Sequence, residues 1–523
     1  MVINKIRFIV ANILMTGLLF CLIVPATAQS GSKPNIILFL VDDMGWQDTS
    51  VPFWSATTPL NRRYHTPNME RLAAAGIKFT NAYAMPVCTP TRISIITGVN
   101  AARHRVTQWT SPYRDRSTDY PDKIMVPVPW NINGLSPTPG IPATFVGTPL
   151  PQLLRDNGYY TVHSGKAHFA SADTPGSNPL NLGFQVNIAG SEIGHPASYS
   201  GKENFDHPRD GKPNRNAVPG LEAYHGKDVH LTDVLTTEAL KAISKPIAAK
   251  QPFFLYLAHY AVHTPLQADE RFAPKYREAG LDSTEAAYAS LVEGMDKSLG
   301  EILDFIAEQK IADNTIIIFT SDNGGLSRVP PRGGDQSDIH NLPLRSGKGS
   351  VYEGGIRVPL IVLWPGKTKA ATVSEQPVVA EDLFPTILEL AGVKSPKVKQ
   401  VIDGKSYAQS LTGSNRIDTS RVILYHHPNR WIADEGQLTA WAGAVRRGDW
   451  KLLYDYQRGT LELYNLRNDI GEQNNLLSIR PEKARELARL FTEELKRTNA
   501  QMPSFADGRK VPFPNEILQH QKK

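Results

Sequence analysis

The chain has 523 residues, with 57 Lys or Arg against 51 Asp or Glu, which gives a formal net charge of +6. A chain of this length is too long to fold around one small hydrophobic core, which favours two domains, or one large domain with an appendage. The charge is low for a nucleic-acid-binding protein of this size and no dense block of Lys and Arg occurs, so we expect no nucleic-acid partner.

The first 28 residues have the features of a signal peptide. Lys5 and Arg7 form a basic start, an apolar stretch follows, and residues 26–28 match a small-residue cleavage site. The alternative is a membrane anchor, but no basic stop-transfer run follows the apolar stretch. We therefore predict export to the periplasm or the extracellular space, with no stable membrane span after cleavage of residues 1–28.

Apolar runs alternate with helical patterns through most of the chain. Buried strands are predicted at Ile36–Val41, Tyr159–Val162, Phe253–Leu257, Thr315–Phe319 and Val358–Leu363. Thr66-Pro67 is a typical helix start, and apolar residues spaced by three or four from Tyr288 to Ile306 predict a second helix. This alternation predicts an α/β fold with a mostly parallel sheet covered by helices on both faces.

The pattern changes at about residue 419. Short strands around turns are predicted at Trp441–Arg446, Trp450–Tyr454 and Glu462–Leu466, followed by a helix over residues 481–495. We therefore predict a main domain over residues 29–418 and a C-terminal α+β subdomain over residues 419–523, with a small antiparallel sheet and a helix.

Two long stretches, roughly residues 108–148 and 170–230, are rich in Pro, Gly, Asn and Asp. They are too long for ordinary connections in a compact domain. We expect them to be functional excursions over a site rather than linkers.

Polar residues follow four of the predicted strands. They are Asp42-Asp43, Lys166 with His168, His259 with His263, and Asp322-Asn323. In open α/β sheets, ligands bind beyond the carboxyl ends of the strands. Any one such residue is as often part of a solvated turn or a helix cap as part of a site. The coincidence of polar residues after four strands, however, predicts a shared site at one edge of the sheet.

Four of these residues offer oxygen ligands to a metal ion. Asp42, Asp43, Asp322 and Asn323 suit Ca²⁺ or Mg²⁺, and the absence of Cys and His from the set disfavours zinc. Adjacent carboxylates in one pocket repel each other unless a cation neutralises them. The residues therefore predict a hard divalent cation.

The chain has two cysteines, and cleavage of the signal peptide would leave only Cys88. A lone thiol in an oxidising compartment is a liability unless it has a task. Pro90 favours a helix that starts just after Cys88, so the free N–H groups of the helix would face an anion held there. Arg92 adds a fixed positive charge. These residues predict a thiol nucleophile near an anion site.

The segment from Cys88 to Gly98 resembles the sulfatase signature Cys-X-Pro-Ser-Arg-X-X-X-Leu-Thr-Gly, with conservative departures at Thr91 and Ile96. Other segments resemble this family in order: Asp42-Asp43 with Gly45, Gly165-Lys166-Ala167-His168 with Ala167 where Trp is usual, His263-Thr264-Pro265, Ser346-Gly347-Lys348-Gly349 and Tyr352–Pro359. Over roughly residues 34–480 the chain thus resembles the formylglycine-dependent (type I) sulfatases, and bacterial polysaccharide sulfatases in particular. The resemblance implies the alkaline-phosphatase-like fold, with a large mixed sheet.

The resemblance also implies a modified nucleophile. In this family a maturation enzyme oxidises the cysteine to formylglycine (3-oxoalanine), and the aldehyde hydrates to a diol. One hydroxyl attacks sulfur to give a covalent sulfo-enzyme intermediate, and the second then expels sulfate. The implied metal is Ca²⁺, bound by Asp42, Asp43, Asp322, Asn323 and the modified Cys88.

Further roles follow from the same resemblance. Arg92, together with Ca²⁺, would lower the pKa of the attacking hydroxyl. Lys166 and Lys348 would hold the sulfate oxygens. His263 would be the acid to the leaving alcohol and His168 the base for diol collapse.

The expected substrate is a sulfated saccharide, attacked at a terminal sugar, and the resemblance leans towards 4-sulfated galactose or N-acetylgalactosamine. Trp431 is predicted to stack on the sugar, His426 and His427 to hydrogen-bond its hydroxyls, and Arg103 and His104 to add contacts. The alternative is that these residues only pack the subdomain against the main sheet.

Two other functions stay open on the sequence. A phosphomonoesterase or phosphonate-ester hydrolase of the same superfamily would use the same metal residues, because phosphate and sulfate esters share a tetrahedral shape. A non-catalytic glycan-binding protein would result if Cys88 were never matured.

Overall fold

The computed structural model describes residues 33–326, 341–413, 417–432 and 437–520. The predicted signal peptide at residues 1–28 lies outside them. Among the described residues, none of the helices combines the length and the apolar character needed to cross a membrane.

The strands and helices follow one another along most of the described chain. The strands are β1 (Asn35–Val41), β2 (Ile77–Phe79), β3 (Ala82–Tyr83), β4 (Met125–Val126), β5 (Leu135–Ser136), β6 (Phe145–Val146), β7 (Tyr160–Gly165), β8 (Val186–Ile188), β9 (Phe253–Ala258), β10 (Thr315–Ser321), β11 (Leu360–Leu363), β12 (Thr372–Ser374), β13 (Val378–Val379), β14 (Val422–Arg430), β15 (Ala440–Arg447), β16 (Trp450–Asp455), β17 (Thr460–Asn465) and β18 (Ser504–Phe505). The α-helices are α1 (Pro59–Arg63), α2 (Pro67–Ala75), α3 (Cys88–Thr97), α4 (Ala101–His104), α5 (Leu150–Asp156), α6 (Leu231–Ala248), α7 (Ala273–Glu278), α8 (Ser283–Glu308), α9 (Glu353–Ile356), α10 (Leu383–Leu390), α11 (Ala408–Leu411), α12 (Pro481–Arg497) and α13 (Pro514–His520).

An eight-stranded mixed sheet forms the centre, in the order β12-β2-β11-β10-β1-β9-β7-β8. Pairing is parallel from β10 through β1, β9 and β7 to β8, whereas β11 runs antiparallel to both β10 and β2. This arrangement confirms the predicted α/β class, with a large, mixed and mostly parallel sheet.

The central strand β1 shows why its sequence is apolar throughout. Ile37 and Phe39 belong to the apolar cluster on one face of the sheet, whereas Ile36 and Leu38 belong to the cluster on the other. Because successive side chains point to opposite faces, a strand covered on both sides must be apolar at every position.

A second sheet holds β14, β15, β16 and β17 in that order, and every pair is antiparallel. Helix α12 packs on it through Leu487 and Phe491, which share an apolar cluster with Leu452 and Leu463. The predicted C-terminal sheet and helix are thus confirmed, while the boundary at residues 418 and 419 stays a prediction.

One strand of this sheet was not predicted. Pro428 lies in β14, and proline is tolerated within sheets mainly on edge strands and at bulges. Strand β14 has both features, since it is the edge of its sheet and its register shifts between His427 and Arg430. A periodicity search misses such a strand.

Candidate functional site

The register of two central strands brings the acidic residues together. Strands β1 and β10 pair in parallel with Val41 opposite Ser321, so Asp42 and Asp322 leave the sheet side by side at its carboxyl edge. Asp43 adopts a left-handed backbone conformation with φ of 62°, and its N–H donates to Oδ1 of Asp322 at 3.2 Å. All three carboxylates are buried.

Two buried lysines lie against these carboxylates. Nζ of Lys166 is 2.7 Å from Oδ2 of Asp42, and Nζ of Lys348 is 2.7 Å from Oδ1 of Asp43. Burial raises the pKa of Asp42 well above its ordinary value. Burial also acts to raise the pKa of Asp43, but the charge of Lys348 outweighs it and holds that pKa below its ordinary value.

Helix α3 begins at Cys88 itself and carries Arg92 one turn later. The buried Arg92 guanidinium donates from Nε to Oδ2 of Asp322 at 2.9 Å and from Nη1 to the carbonyl oxygen of Lys166 at 2.8 Å. Arg92 therefore ties the helix that bears the cysteine to both the acidic cluster and the segment that follows β7.

The cluster contains oxygen atoms that suit a metal ion. Among the described residues, Oδ1 of Asp42 and Oδ1 of Asn323 are buried and have no hydrogen-bond partner. Nδ2 of Asn323 donates to Asp43 at 2.7 Å, which fixes the amide so that its oxygen is the atom left available. Together with Asp322, these residues are hard oxygen donors of the kind that Ca²⁺ and Mg²⁺ prefer, so the donor set fits such an ion.

Cys88 contacts a neutral histidine. Its Sγ atom lies 3.4 Å from Nδ1 of His168, while Nε2 of His168 lies 2.8 Å from the carbonyl oxygen of Thr110. Because a carbonyl only accepts, Nε2 carries the proton and Nδ1 presents a lone pair to Cys88. Burial, and then the charge of Lys166, lower the pKa of His168 well below its ordinary value.

His263 approaches the acidic cluster from another segment. Its Nε2 is 3.5 Å from Oδ2 of Asp43, and its Nδ1 is 3.0 Å from Oγ1 of Thr264. The ring stacks on His195, with centroids 5.5 Å apart and an interplanar angle of 4°. Burial, and then the charge of Lys348, lower the pKa of His263 well below its ordinary value.

Five of these residues line one cavity of about 420 Å³, and they are Asp43, Cys88, His168, His263 and Lys348. Arg92, Lys166 and the other acidic-cluster residues lie behind this lining and are buried. The structure thus joins, at one site, residues that lie far apart in the sequence.

The two long excursions supply much of the remaining wall, as predicted from their composition. Trp109 and Pro112 come from the first, and His195 and Asn216 from the second. His195 is held by Asn216, whose Nδ2 donates to its Nε2 at 2.9 Å. No motif indicated these individual residues, and only the Pro- and Gly-rich composition of their segments pointed towards a site.

Trp431 is the one predicted sugar contact that lines this cavity. Its indole packs on Gly349, where a Cβ atom would overlap the ring. Gly349 also has a φ of +86°, which favours glycine. The ring is therefore seated next to Lys348.

Arg103 and His104, which were predicted to contact the sugar, do not line the cavity. Nε of Arg103 donates to Oδ2 of Asp403 at 2.8 Å. The buried His104 ring contacts Oγ of Ser94 at 3.2 Å and accepts the N–H of Val106 at 3.0 Å. Burial lowers the pKa of His104 to about 3. Both residues secure the segment after α3.

His426 and His427 likewise do not line the cavity, and both are buried in β14. His426 donates from Nε2 to the carbonyl of Gln501 at 2.9 Å and contacts the hydroxyl of Tyr456 through Nδ1 at 2.8 Å. Nδ1 of His427 lies 3.1 Å from the carbonyl of Thr107. Burial lowers the pKa of each histidine to about 4. These contacts agree with the alternative that the sequence left open, in which the two residues pack the subdomain.

Comparisons with known proteins agree on a family. The family model described as Sulfatase matches residues 34–393, and that of the N-sulphoglucosamine sulphohydrolase C-terminal region matches residues 347–501. A protein named Sulfatase from Formosa agariphila is 30% identical over 93% of each chain. An N-acetylgalactosamine-6-sulfatase of Rattus norvegicus is 34% identical over 78% of this chain and 70% of its own.

A solved structure shows the same fold. The crystal structure of Ps i-CgsB in complex with k-i-k-neocarrahexaose has a TM-score of 0.67 and 26% identity, and the match covers 94% of this chain and 97% of that one. The Sulfatase match begins just before β1 and includes Cys88, His168, His263 and Lys348, the residues that converge on the cavity. This chain belongs to the sulfatase family and is a sulfuric ester hydrolase with the alkaline-phosphatase-like fold.

Proposed function

We propose that this chain hydrolyses an O-sulfate ester on a terminal sugar of a sulfated glycan. The observation that carries the proposal is the cavity of about 420 Å³, which has Cys88 and Lys348 beside an acidic cluster and the indoles of Trp109 and Trp431 in its walls. That volume lies within the usual range for small-ligand sites. Indole rings offer apolar faces to sugar C–H groups, while the positively charged Lys348 suits the negatively charged sulfate.

We propose Cys88 as the precursor of the nucleophile, after a maturation enzyme has converted it to formylglycine. The hydrated aldehyde would supply one hydroxyl to attack sulfur and another to release sulfate. The chain itself contributes position, because Cys88 is buried at the first residue of α3, where free N–H groups favour an anion. His168 is the proposed base, since its Nδ1 lone pair faces residue 88.

We propose Ca²⁺ at the acidic cluster, held by Asp42, Asp43, Asp322, Asn323 and the modified Cys88. When bound, the ion would supply Lewis acidity towards a hydroxyl or a sulfate oxygen. The unpartnered buried oxygens of Asp42 and Asn323 support this assignment.

The remaining charged residues are assigned to transition-state binding and proton transfer. Lys166 and Lys348 would bind sulfate oxygens, and Arg92 would add a fixed charge in a water-poor site. His263 is the proposed acid to the leaving alcohol, a role that requires the negative charge of a bound sulfate ester to raise its depressed pKa. Its ring lines the cavity and is held by Thr264 and by stacking.

For the sugar, we propose galactose or N-acetylgalactosamine. The name of the rat relative, N-acetylgalactosamine-6-sulfatase, supports the second sugar. That name refers to sulfate at position 6 of the sugar, whereas the resemblance of the whole sequence leans towards sulfate at position 4. The sulfated position is therefore left to experiment.

The deciding experiment measures sulfate release from 2-, 4- and 6-sulfated galactose and N-acetylgalactosamine, with glucosamine sulfates and a paired phosphate monoester as controls. We expect turnover of a galactose-configured 4- or 6-sulfate and little turnover of the phosphate. Faster cleavage of the phosphate ester would favour the phosphatase alternative. Activity on aryl sulfates alone would overturn the carbohydrate assignment.

Export is part of the proposal. The signal-peptide features of residues 1–28 support delivery to the periplasm or beyond, where a sulfated polymer is met. N-terminal sequencing of the mature protein should start just after residue 28. A retained N-terminus in the cytosolic fraction would contradict it.

A further inference from the structure

Three charged residues, one of them on the C-terminal sheet, form a buried cluster. Nζ of Lys451, on β16, lies 2.9 Å from Oε1 of Glu353 and 2.8 Å from Oε1 of Glu472. All three side chains are fully buried. None of them lines the cavity that contains Cys88. We call this cluster the buried triad.

The triad holds both the backbone and the side chain at the start of α9. A carboxylate oxygen of Glu472 accepts the backbone N–H of Glu353, the first residue of α9, at 2.7 Å. Oε2 of Glu353 accepts from the hydroxyl of Tyr83 at 2.7 Å and pairs with Arg357, just past the end of α9, at 3.1 Å. A helix of only four residues has little stability of its own, so these contacts fix its place.

Helix α9 in turn supports one side of the site. The N–H of Gly324, next to Asn323, donates to the carbonyl of Gly355 at 3.0 Å. A Cβ atom on Gly324 would overlap the carbonyl oxygen of Gly354, so the two backbones are in direct contact. A shift of α9 would therefore move Asn323.

The same helix supports the loop of the active-site lysine. The N–H of Gly354 donates to the carbonyl of Arg345 at 2.9 Å. A Cβ atom on Gly354 would overlap the carbonyl of Ser346, and one on Gly355 would overlap the carbonyl of Ser350. These contacts flank Lys348 on both sides, so the position of α9 sets the position of Lys348.

We propose that the buried triad is a positioning device, through which the C-terminal sheet sets the places of Lys348 and Asn323. This inference rests on the proposed roles of those two residues. A buried ion pair is weak evidence for stability, since replacing one by apolar groups is often neutral or better. A role in positioning Lys348 and Asn323 gives a reason for the triad other than stability. Lys451 acts through α9 and touches no reacting group.

The test compares two variants that each remove one partner of a buried ion pair. Lys451→Met breaks the triad. The control, Arg421→Met, breaks the pair of Arg421 with Asp382, which lie 2.6 Å apart, both largely buried, at another contact of the C-terminal region. Each substitution leaves a buried carboxylate without its cation, so both variants should have a lower midpoint of thermal unfolding than the wild type.

Only Lys451→Met should alter the site. We expect kcat to fall by about 10- to 100-fold, the scale of a small misplacement of reacting groups, with a smaller change in KM. Calcium binding measured by titration should weaken, and hydrogen exchange should quicken over residues 322–326 and 346–356. The control should change none of these. Equal effects of the two variants on kcat, calcium binding and exchange would overturn the proposal.

A second pair of variants keeps the test decisive if Lys451→Met does not fold. Glu472→Gln retains an oxygen that can accept the N–H of Glu353, whereas Glu472→Ala does not. We expect the Gln variant to keep wild-type exchange over residues 346–356 and most of kcat, and the Ala variant to lose both. Identical exchange rates and kcat values in the two Glu472 variants would contradict a positioning role for the buried triad. If wild-type protein bound no calcium, the proposed function would fail, yet the exchange comparison would still decide the role of the triad.

Discussion

Nδ1 of His168 lies 3.4 Å from Sγ of Cys88, and the opposite ring nitrogen faces the carbonyl of Thr110 at 2.8 Å. The second contact fixes the tautomer, so the first is made by a lone pair. Since burial and Lys166 hold the pKa of His168 well below its ordinary value, the ring stays neutral at physiological pH. A neutral ring with its lone pair facing residue 88 is the arrangement that the proposed base requires.

The first prediction concerns Cys88. Cys88→Ala should lower kcat by at least about 10³-fold, because loss of a nucleophile leaves only the binding contributions of the site. The thermal midpoint should move little, since the change removes one atom. Cys88→Ser tests maturation: in a host whose maturation enzyme requires cysteine, peptide mass spectrometry should show an aldehyde in the wild type and unmodified serine in this variant. Full activity of purified Cys88→Ala protein would refute the assignment.

The second prediction concerns the metal. Chelation should abolish activity and calcium should restore it. At about 100 times its Kd the ion should stabilise the fold by about 2.7 kcal/mol, measured as a shift in denaturant midpoint. Asp322→Asn should lower the bound calcium measured by elemental analysis. Asp403→Asn, a carboxylate away from the cavity, should not. Zinc as the native ion would contradict this prediction.

The sequence predicted the acidic cluster well, for a simple reason. Parallel strands of one sheet deliver their carboxyl ends to one edge, so apolar runs followed by Asp42 or by Asp322 suffice to place both. Lys348 follows no strand, and only the family resemblance pointed to it. Its position depends on α9 and on the glycines around it, which no local pattern encodes.

The cavity wall was harder to predict. His195 lies in a long excursion whose path depends on contacts such as that with Asn216. His426 was predicted to hydrogen-bond the hydroxyls of the sugar, but it is buried, and its partners Tyr456 and Gln501 lie 30 and 75 positions further along the chain. A buried polar residue with distant partners resembles an exposed one when only the sequence is read.

The third prediction separates proton donation from binding at His263. His263→Ala should reduce kcat on sugar sulfates by about 10²- to 10⁴-fold, because a sugar alkoxide is a poor leaving group that needs the proton. An aryl sulfate with an acidic phenol should lose far less. The control His195→Ala removes the ring stacked on His263 but keeps His263, the proposed proton donor. The kcat on sugar sulfates and on aryl sulfates should therefore fall alike. Equal losses in His263→Ala would show a binding role instead.

The fourth prediction concerns acid stability and His426. Burial lowers the pKa of His426 to about 4, against about 6.5 in the unfolded chain, so between these values the unfolded state binds more protons. Stability is therefore complete above about pH 6.5 and is lost as the pH falls towards 4. His426→Gln should make the free energy of unfolding fall less between pH 7 and pH 5. The exposed His225→Gln should leave that slope unchanged.

The same His426→Gln variant tests the packing role assigned to this residue. Its kinetics on sugar sulfates at pH 7 should match the wild type, because the ring bonds Tyr456 and Gln501 and does not line the cavity. A raised KM with unchanged stability would return His426 to the sugar-binding site.

The last prediction concerns Trp431, whose indole is seated on Gly349 and lines the cavity next to Lys348. Loss of a stacked aromatic contact is worth about 1 kcal/mol, so Trp431→Ala should raise KM for the preferred sugar sulfate roughly 5- to 10-fold with a smaller change in kcat. Trp431→Phe keeps a ring and should recover most of the affinity. Trp450→Ala, on β16 and outside the cavity lining, is the matched control and should leave KM unchanged. If Trp431→Ala and Trp450→Ala gave the same KM as wild type on every sulfated sugar, Trp431 would be a wall residue without contact to substrate.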